Sequence, residues 1–377
     1  MTSRDRQLDA PHRRVEPGSR LSKHGLRLVE RGVVVGYRLV AWIVAHVPPA
    51  LPRFVIARGA ETSYLLWPSK RRWSNSNYAH VLGLPPGHRR VKATAFRAYG
   101  EYARFVVEGM RLPNLPDEVA RGLIPGVDVG IVEPIWRGAR GGLIFTLGHT
   151  GNPEAIAAAI ASRGWPISVL ADDSSFPELF DLFRKTREGW GVRVIPWRNL
   201  REIYGVLRRR EMLGLLIDWG YRPDGIPVRM FGAWTTLPAG PATLAAKTGS
   251  RILPIAIRRK DGGETFHAEA FEPIEVPSLA PADLLAATQR IADGLEASIA
   301  AAPDQWFSFK PLWPATAEEG AELERRAAEM ASLTTPAPVA ATEAATARTL
   351  VGTEEVLEGA ETTTAAFSDE VVPPAST

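Results

Sequence analysis

The chain has 377 residues, 45% of them hydrophobic, so it can bury a large core as one large domain or two small ones. It contains no cysteine, which excludes a disulfide scaffold, a thiol nucleophile and a cysteine-ligated metal. No two of its seven histidines have the spacing of a helical zinc-binding pair, so we expect no metal site. After Ala315 there are 12 acidic and 3 basic residues, which leaves a net charge of +12 on residues 1–315. This basic part would attract the phosphates of nucleic acid, anionic lipid or coenzyme A alike.

The amino-terminal region is charged first and apolar afterwards. Residues 1–25 lack the apolar run of a signal peptide and are predicted to be a flexible N-terminus. Residues 26–47, LRLVERGVVVGYRLVAWIVAHV, are predicted to be helical, but charged residues interrupt them too often for a membrane span. Such a helix lies either in a membrane interface or in a globular core. With the mainly helical pattern that follows, residues 26–125 are predicted to form a helical, membrane-associating region.

The middle of the chain alternates between two patterns. Between residues 142 and 257 the apolar runs GLIFTL, ISVLA, VRVIPW, LGLLID and ILPIAI are separated by helical stretches. This alternation predicts an α/β fold with a mostly parallel central sheet flanked by helices. A strand near 265–275 and a helix near 281–301 complete a predicted α/β core of residues 126–315. Residues 316–377, rich in Ala, Thr, Glu and Pro, are predicted to be an acidic, mostly disordered tail.

The segment GGLIFTLGHTGNPEAIAAAIA contains the strongest candidate for chemistry. Its strand delivers His149 to the carboxyl end, just before a helix, where open α/β sheets place their sites. Asn152 is predicted to cap that helix, and Glu154 falls in the first turn, where the helix dipole favours a carboxylate. If the two side chains face each other, Glu154 would orient the imidazole of His149 for general-base catalysis. An ordinary histidine beside an acidic helix start is the alternative.

Several motifs resemble one known family in the family's own order. HTGNPE resembles the H-x4-D/E motif of the lipid A lauroyl acyltransferase and phosphatidylinositol mannoside acyltransferase family. The likeness extends over roughly residues 35–315. It includes YGEYARFVVEGMRLP, TREGWGVRVIP, LLIDWGYRPDGIPVRMFG, LPAGPATLAAKTGSRILPIAI and PDQWF. EGMRLP, GHTGN and TREGWG are more similar to the mannoside branch. The resemblance implies that residues 126–315 are an acyltransferase catalytic core.

The resemblance also implies roles for individual residues. His149 matches the general base and Glu154 the carboxylate that partners it. The residues implied in substrate binding are Asn152, Arg187, Asp218, Arg222, Pro238 and Gly240. Backbone amides at the helix that Pro238 and Gly240 open can receive an anion or a reacting carbonyl oxygen, although a proline-rich turn explains them equally well. Without the resemblance, Arg187 would be interpreted as a solvated residue at a helix end.

Three positions depart from the family pattern. Pro153 stands where an aromatic residue is usual, Gly220 replaces a second acid, and Ala233 occupies a position where a charged residue is common. These departures weaken the assignment of a substrate. They also keep open a non-catalytic lipid-binding relative as an alternative.

The expected function is acyl transfer at a membrane surface. The resemblance implies that a fatty acyl group moves from acyl-CoA or acyl-carrier protein to a sugar hydroxyl of a membrane glycolipid such as a phosphatidylinositol mannoside. The donor thioester is a substrate, and no cofactor is expected. A lipid A precursor acylated from acyl-carrier protein is the alternative within the enzyme class.

The expected partners follow from the same resemblance. They are the donor thioester, the glycolipid acceptor and an anionic membrane surface, with the protein peripheral or monotopic at the cytoplasmic face of the plasma (inner) membrane. No nucleic acid is expected, since the chain lacks a recognition module such as an RNP-like strand. The oligomeric state does not follow from the sequence.

Overall fold

The computed structural model describes residues 23–124, 129–172, 177–260 and 263–333. Most of the predicted flexible N-terminus and residues 334–377 of the predicted tail lie outside the described residues. The helices are α1 (Lys23–His46), α2 (Ala50–Leu66), α3 (Pro68–Leu82), α4 (Arg89–Arg111), α5 (Asp117–Gly122), α6 (Val129–Gly138), α7 (Pro153–Ala161), α8 (Pro177–Glu188), α9 (Leu200–Arg208), α10 (Gly240–Thr248), α11 (Pro281–Ala301) and α12 (Ala317–Ser332). The strands are β1 (Leu143–Leu147), β2 (Ile167–Ala171), β3 (Val192–Pro196), β4 (Met212–Leu216), β5 (Ile226–Met230), β6 (Ala233–Leu237), β7 (Arg251–Arg259) and β8 (Phe266–Ala270).

A six-stranded sheet in the order β3-β2-β4-β1-β7-β8 forms the centre of the protein. Its strands are parallel except for β8, which pairs antiparallel at one edge. The predicted α/β fold with a mostly parallel sheet and flanking helices is therefore confirmed. All five residues of β1 are buried, because helices cover both faces of the sheet. Ile144 packs into one hydrophobic cluster, while Leu143 and Phe145 pack into the cluster on the opposite face.

A hairpin between β4 and β7 is absent from the sequence prediction. Strands β5 and β6 pair antiparallel and form a separate two-stranded sheet. Both residues of its turn, Phe231 and Gly232, have positive φ angles of 49° and 76°. Two-residue hairpins favour such turns but usually build them from Asn-Gly or Asp-Gly, so Phe-Gly gives a weak signal in the sequence.

The amino-terminal helices pack onto the α/β core and onto one another. Helix α2 lies against α4, and α1 contacts both α4 and α8. From α3, the amide of Asn77 donates to the carbonyl of Lys310 at 2.7 Å and accepts from the Leu312 N–H at 3.0 Å. The hydroxyl of Tyr78 donates to the carbonyl of Trp306. The helical region therefore supports the chain segment that follows α11.

Helix α1 has one buried and one exposed apolar face. Val34 and Val44 are buried, whereas Trp42 is 60% exposed. Among the described residues, no helix is both long enough and apolar enough to span a membrane. The buried face agrees with the alternative of a core helix, and contact of the exposed face with a membrane stays a prediction. The exposed apolar side chains of α1 and α2 are Val33, Val35, Leu39, Val40, Trp42, Ile43, Leu51, Phe54, Val55, Leu65 and Leu66.

The prediction that a disordered tail begins at residue 316 is wrong for residues 317–332, which form α12. Thr316 and Glu319 make a reciprocal capping box at its start. Leu323 and Ala327 are buried, and the helix packs against α11 and the β5–β6 hairpin. An Ala- and Glu-rich stretch has high helix propensity, but its docking depends on the hairpin that the sequence did not reveal.

Helix α12 also holds the loop between β4 and β5. The guanidinium of Arg326 donates to the carbonyls of Pro223 and Gly225. These contacts satisfy backbone acceptors in a loop that begins near the carboxyl end of β4. The end of the described chain therefore stabilises a segment close to the carboxyl edge of the sheet.

Leu323→Ala should destabilise the protein, because it leaves a cavity where the buried side chain of α12 packs against the rest of the fold. Truncation of a buried leucine typically costs about 2–5 kcal/mol, which should lower the melting temperature by roughly 5–15 °C. Thermal unfolding followed by circular dichroism measures the change. A chain ending after Leu333 is the control and should melt like the full chain. An unchanged melting temperature for Leu323→Ala would show that α12 contributes no stability.

Candidate active site

The carboxyl ends of two neighbouring strands bring His149 and Asp218 together. Strands β1 and β4 are paired in register, with Leu147 opposite Leu216. Two residues beyond those positions, His149 Nδ1 lies 2.6 Å from Asp218 Oδ1. The imidazole is 25% exposed and the carboxylate is fully buried. This edge is where open α/β sheets place their sites, as the sequence predicted for His149.

Three N–H groups donate to the buried carboxylate of Asp218. Besides the imidazole, they are the His149 backbone at 2.9 Å and the Trp306 indole at 2.8 Å. Burial alone would raise the pKa of Asp218, but the charge of His149 and these hydrogen bonds outweigh burial and hold the pKa below its ordinary value. The carboxylate is therefore ionised and can only accept. It follows that Nδ1 of His149 carries its hydrogen and Nε2 is left as the acceptor.

The same contacts determine the basicity of His149. Burial disfavours the charged imidazole and would lower its pKa. The charge and hydrogen bond of Asp218, with a smaller effect from the charge of Glu154, outweigh burial and raise the pKa above 6.5. The protonated imidazole that forms when His149 takes a proton is thus stabilised, as a general base requires.

Glu154 does not orient the imidazole, so that expectation is corrected. Its carboxylate forms a two-pronged ion pair with Arg187, with Nε–Oε2 at 2.9 Å and Nη2–Oε1 at 2.5 Å. Glu154 lies in the first turn of α7 and Arg187 in the last turn of α8, and the planar guanidinium matches the carboxylate. Asp218, expected only as a substrate-binding residue, occupies the position behind His149. Arg187 is partnered, with 22% of its side chain exposed.

Two glycines let the chain around His149 approach its neighbours. A Cβ on Gly148 would lie 2.5 Å from Leu295 Cδ1 and 3.1 Å from Asp218 Oδ2. Gly151 has a φ of +58°, and a Cβ there would lie 2.5 Å from the carbonyl oxygen of Ile257. Only glycine fits both the conformation and the space at residue 151. The G-H-T-G order in the sequence is therefore needed to place the imidazole.

The segment after α11 forms a short antiparallel bridge with the His149 loop. Gly151 N–H donates to Gln305 O at 3.0 Å, and Phe307 N–H donates to His149 O at 2.8 Å. Between them, Trp306 is buried and reaches Asp218 with its indole. Sequence reasoning gave Trp306 no role. The available signal was its place in PDQWF, a motif already noted for its resemblance.

Asn152 holds the loop in place. As predicted, its side chain caps α7 by accepting from Ala155 N–H at 3.0 Å. Its amide nitrogen donates to Glu108 Oε2 at 2.9 Å, and Glu108 forms a two-pronged ion pair with the buried Arg259. Both ends of the Asn152 amide are thus engaged inside the protein. The structure gives it a positioning role, and the implied substrate contact stays a prediction.

The remaining predicted residues are Arg222, Pro238 and Gly240, and their implied contacts with substrate stay predictions. Arg222 is in the loop that follows Asp218, where it forms an ion pair with Asp224 at 3.2 Å. Pro238 precedes α10 and Gly240 begins it, and that helix packs against α9, α11 and β7. Within the described part of the chain, no hydrogen bond joins Pro238 or Gly240 to His149 or Asp218.

An apolar pocket opens beside the Glu154–Arg187 ion pair and lies between α7 and the sheet. Leu147 and Leu216, each two residues before a member of the His149–Asp218 pair, are part of its wall. The remaining wall includes Ile156, Ala157, Ile160, Val169 and Leu170.

Across residues 23–333, gaps excepted, no group of three or more histidine and acidic side chains could hold a metal ion.

An oriented histidine at the edge of a sheet, next to an apolar pocket, is a site that can activate a hydroxyl group by accepting its proton. The chain belongs to the bacterial lipid A biosynthesis acyltransferase family, whose model matches residues 22–315. It is therefore an enzyme that transfers acyl groups, and the resemblance seen in the motifs is confirmed.

Two similar proteins carry a more specific name. Over 311 residues the chain is 28% identical to a phosphatidylinositol mannoside acyltransferase of Mycolicibacterium smegmatis, an alignment that covers 80% of this chain and 96% of the relative. Over 294 residues it is 26% identical to a phosphatidylinositol mannoside acyltransferase of Mycobacterium tuberculosis, with 74% and 88% covered.

Asp218→Asn should shift the pH dependence of the reaction. Proton acceptance needs the neutral imidazole, so activity falls as the pH drops through the pKa of His149, which lies above 6.5 in the intact enzyme. Removing the carboxylate charge lowers that pKa, so the acid limb of the kcat/KM profile should move to lower pH. The plateau should fall by about 10²- to 10⁴-fold.

The profile is measured from pH 5 to 9 on folded variants, with Asp181→Asn as the control. Asp181 is an exposed carboxylate on α8 that pairs with Arg184, so its loss should leave the limb in place. A limb that does not move in Asp218→Asn would contradict the role of this carboxylate.

Proposed function

We propose that this enzyme moves a fatty acyl group from a thioester donor to a sugar hydroxyl of a membrane glycolipid such as a phosphatidylinositol mannoside. The observation that carries the proposal is the His149–Asp218 pair, with Nε2 left as acceptor beside an apolar pocket. The names of the two mycobacterial relatives support a mannoside acceptor. The family description supports a lipid A precursor as the acceptor of a second candidate reaction, for which we propose acyl-carrier protein as the donor.

In the proposed reaction, His149 acts as the general base. Its Nε2 takes the proton of the acceptor hydroxyl while that oxygen attacks the thioester carbonyl carbon. The carbon–oxygen bond forms, the carbon–sulfur bond breaks, and the proton passes from the imidazolium to the leaving thiolate. Asp218 holds the ring through Nδ1 and stabilises the imidazolium in between. The Glu154 charge, fixed by Arg187, adds to this stabilisation.

The apolar pocket under α7 is the proposed seat of the donor acyl chain. Apart from Glu154 and Arg187 its walls are apolar, and they include Leu147 and Leu216 at the carboxyl ends of β1 and β4. The cavity holds about 90 Å³, less than the roughly 300 Å³ of a small ligand pocket. Wall side chains must therefore move before a long chain can enter. Acyl-CoA and acyl-carrier protein both present the thioester that this pocket would receive.

We further propose that the exposed apolar faces of α1 and α2 hold the protein on the cytoplasmic face of the membrane. Exposed aliphatic and aromatic residues on an amphipathic helix bury in the headgroup region. Helix α1 also touches the active-site side of the core, since the Tyr37 ring packs edge-on against Phe183 of α8 at 5.0 Å. Arg187 lies one turn further along α8. Membrane contact and the site are thus joined through one pair of helices.

Transfer by the purified enzyme tests the function. With palmitoyl-CoA and a phosphatidylinositol mannoside in mixed micelles, the wild type should yield a product heavier by one acyl group. His149→Ala should lower the rate by about 10²-fold or more, because the general base is lost. His267→Ala, in the edge strand β8, is the matched control and should keep full activity.

The product is identified by mass spectrometry, and a lipid A precursor with acyl-carrier protein is run in parallel. Acylation of that precursor alone would favour the second candidate. Full activity of a folded His149→Ala variant would refute the mechanism.

The double variant Leu39→Ser with Trp42→Ser should weaken membrane binding. Both side chains are more than half exposed on α1, so their loss removes apolar area that would enter the interface. We expect the double variant to bind anionic vesicles with an affinity about 10-fold lower than that of the wild type. Co-sedimentation measures it, and Leu200→Ser on α9, an exposed leucine outside this surface, is the control. Equal binding by all three proteins would place the membrane contact elsewhere.

A further inference from the structure

An exposed tryptophan stands beside the catalytic histidine. Trp219 directly follows Asp218, and its ring centroid is 5.8 Å from that of His149. The residue is 63% exposed, although an indole is among the largest apolar groups a protein can bury. The proposed mechanism gives it no task. A large exposed aromatic ring beside a reacting group is a candidate for binding a substrate.

The position of Trp219 is fixed by its surroundings. Gly220 has a φ of +138°, which other residues rarely adopt, and a Cβ there would lie 3.2 Å from Lys310 Cβ. Tyr221 N–H donates to Pro311 O at 2.7 Å, which ties the turn to the chain segment after α11. The ammonium of Lys310 lies 4.4 Å from the indole centroid. Gly220 thus permits a turn that holds the ring.

The apolar ring of Trp219 is bordered by polar groups. The ammonium of Lys310 lies over one face of the indole, and 63% of the residue is still exposed. Polar groups, the imidazole of His149 and the Lys310 ammonium, border the ring, whereas the walls of the apolar pocket do not include Trp219. An acyl chain would gain from apolar walls on several sides. A ligand with one apolar face and a polar rim fits Trp219 better.

We propose that Trp219 is the platform for the sugar ring of the acceptor. The face of a pyranose presents C–H groups with partial positive charge, which pack on the electron-rich indole, while the hydroxyl groups point outward around the rim. This assignment rests on the proposed function and names the residue that recognises the acceptor.

The distance between the two rings fits this role. A sugar in contact with the indole lies about 3.5–4 Å above it, the separation of carbon atoms in van der Waals contact. With the rings 5.8 Å apart, a rim hydroxyl of that sugar comes within hydrogen-bond reach of the imidazole. Trp219 would therefore select which hydroxyl meets Nε2.

Steady-state kinetics of Trp219→Ala and Trp219→Phe test the assignment. In Trp219→Ala the KM for the glycolipid should rise about 10-fold, because the stacking surface is gone. Trp219→Phe should recover part of that loss, since a smaller ring remains. The KM for palmitoyl-CoA should stay unchanged, because Trp219 does not line the apolar pocket. The exposure of Trp219 makes both variants compatible with folding, which melting curves verify.

Trp197→Ala is the matched control. Trp197 follows β3, three strands from β1, and also lies under a cation, with Arg198 at 5.0 Å. Its loss should leave the acceptor KM unchanged. An unchanged acceptor KM in Trp219→Ala, or a rise in the donor KM instead, overturns the assignment while acyl transfer by the wild type stands. A wild type that acylates no glycolipid overturns the proposed function, and the assignment with it.

Discussion

The buried carboxylate of Asp218 is the group on which the arrangement of the site depends. An ionised carboxylate away from water is costly unless donors surround it, and removing a partner leaves an uncompensated charge. The donors come from the end of β1 and from the segment after α11, which are far apart in the sequence. Folding must therefore assemble these segments together, and the assembly orients His149 and stabilises its protonated form.

A second buried network links the amino-terminal helices to the same loop. Arg259, at the end of β7, donates to Glu108 of α4 through both terminal nitrogens, and Glu108 accepts from Asn152 beside the histidine. The backbone N–H of Arg259 also donates to the Gln305 side chain at 2.6 Å. Charge-assisted bonds of this kind are strong when water is excluded. The helical region is consequently part of the frame of the site, in addition to carrying the exposed apolar surface.

Two surfaces of different chemistry adjoin the His149–Asp218 pair. On the α7 side are the Glu154–Arg187 ion pair and the apolar pocket, which suit a fatty acyl chain. The Trp219 ring, which does not line that pocket, adjoins both the imidazole and the Lys310 ammonium, and this suits a ring with polar edges. A transfer between two unlike substrates needs such a division, because each must reach the histidine without occupying the other's place. In the proposed reaction, the fold contributes mainly by bringing both substrates close to His149.

The sheet, its flanking helices and the place of His149 could all be predicted from the sequence. Alternating apolar runs and helical stretches report burial on both faces of a parallel sheet, and H-x4-E after a buried strand marks its carboxyl edge. The tertiary structure alone decided which carboxylate meets the imidazole, because Asp218 is 69 residues away and reaches it only when β4 pairs with β1. Three other features are visible only in the folded protein: the ion pair between Glu154 and Arg187, the hydrogen bond from Trp306 to Asp218, and the docking of residues 317–332 as a helix. Local pattern encodes elements and their exposed faces, whereas partners across the fold depend on strand order and on packing that no short stretch of sequence contains.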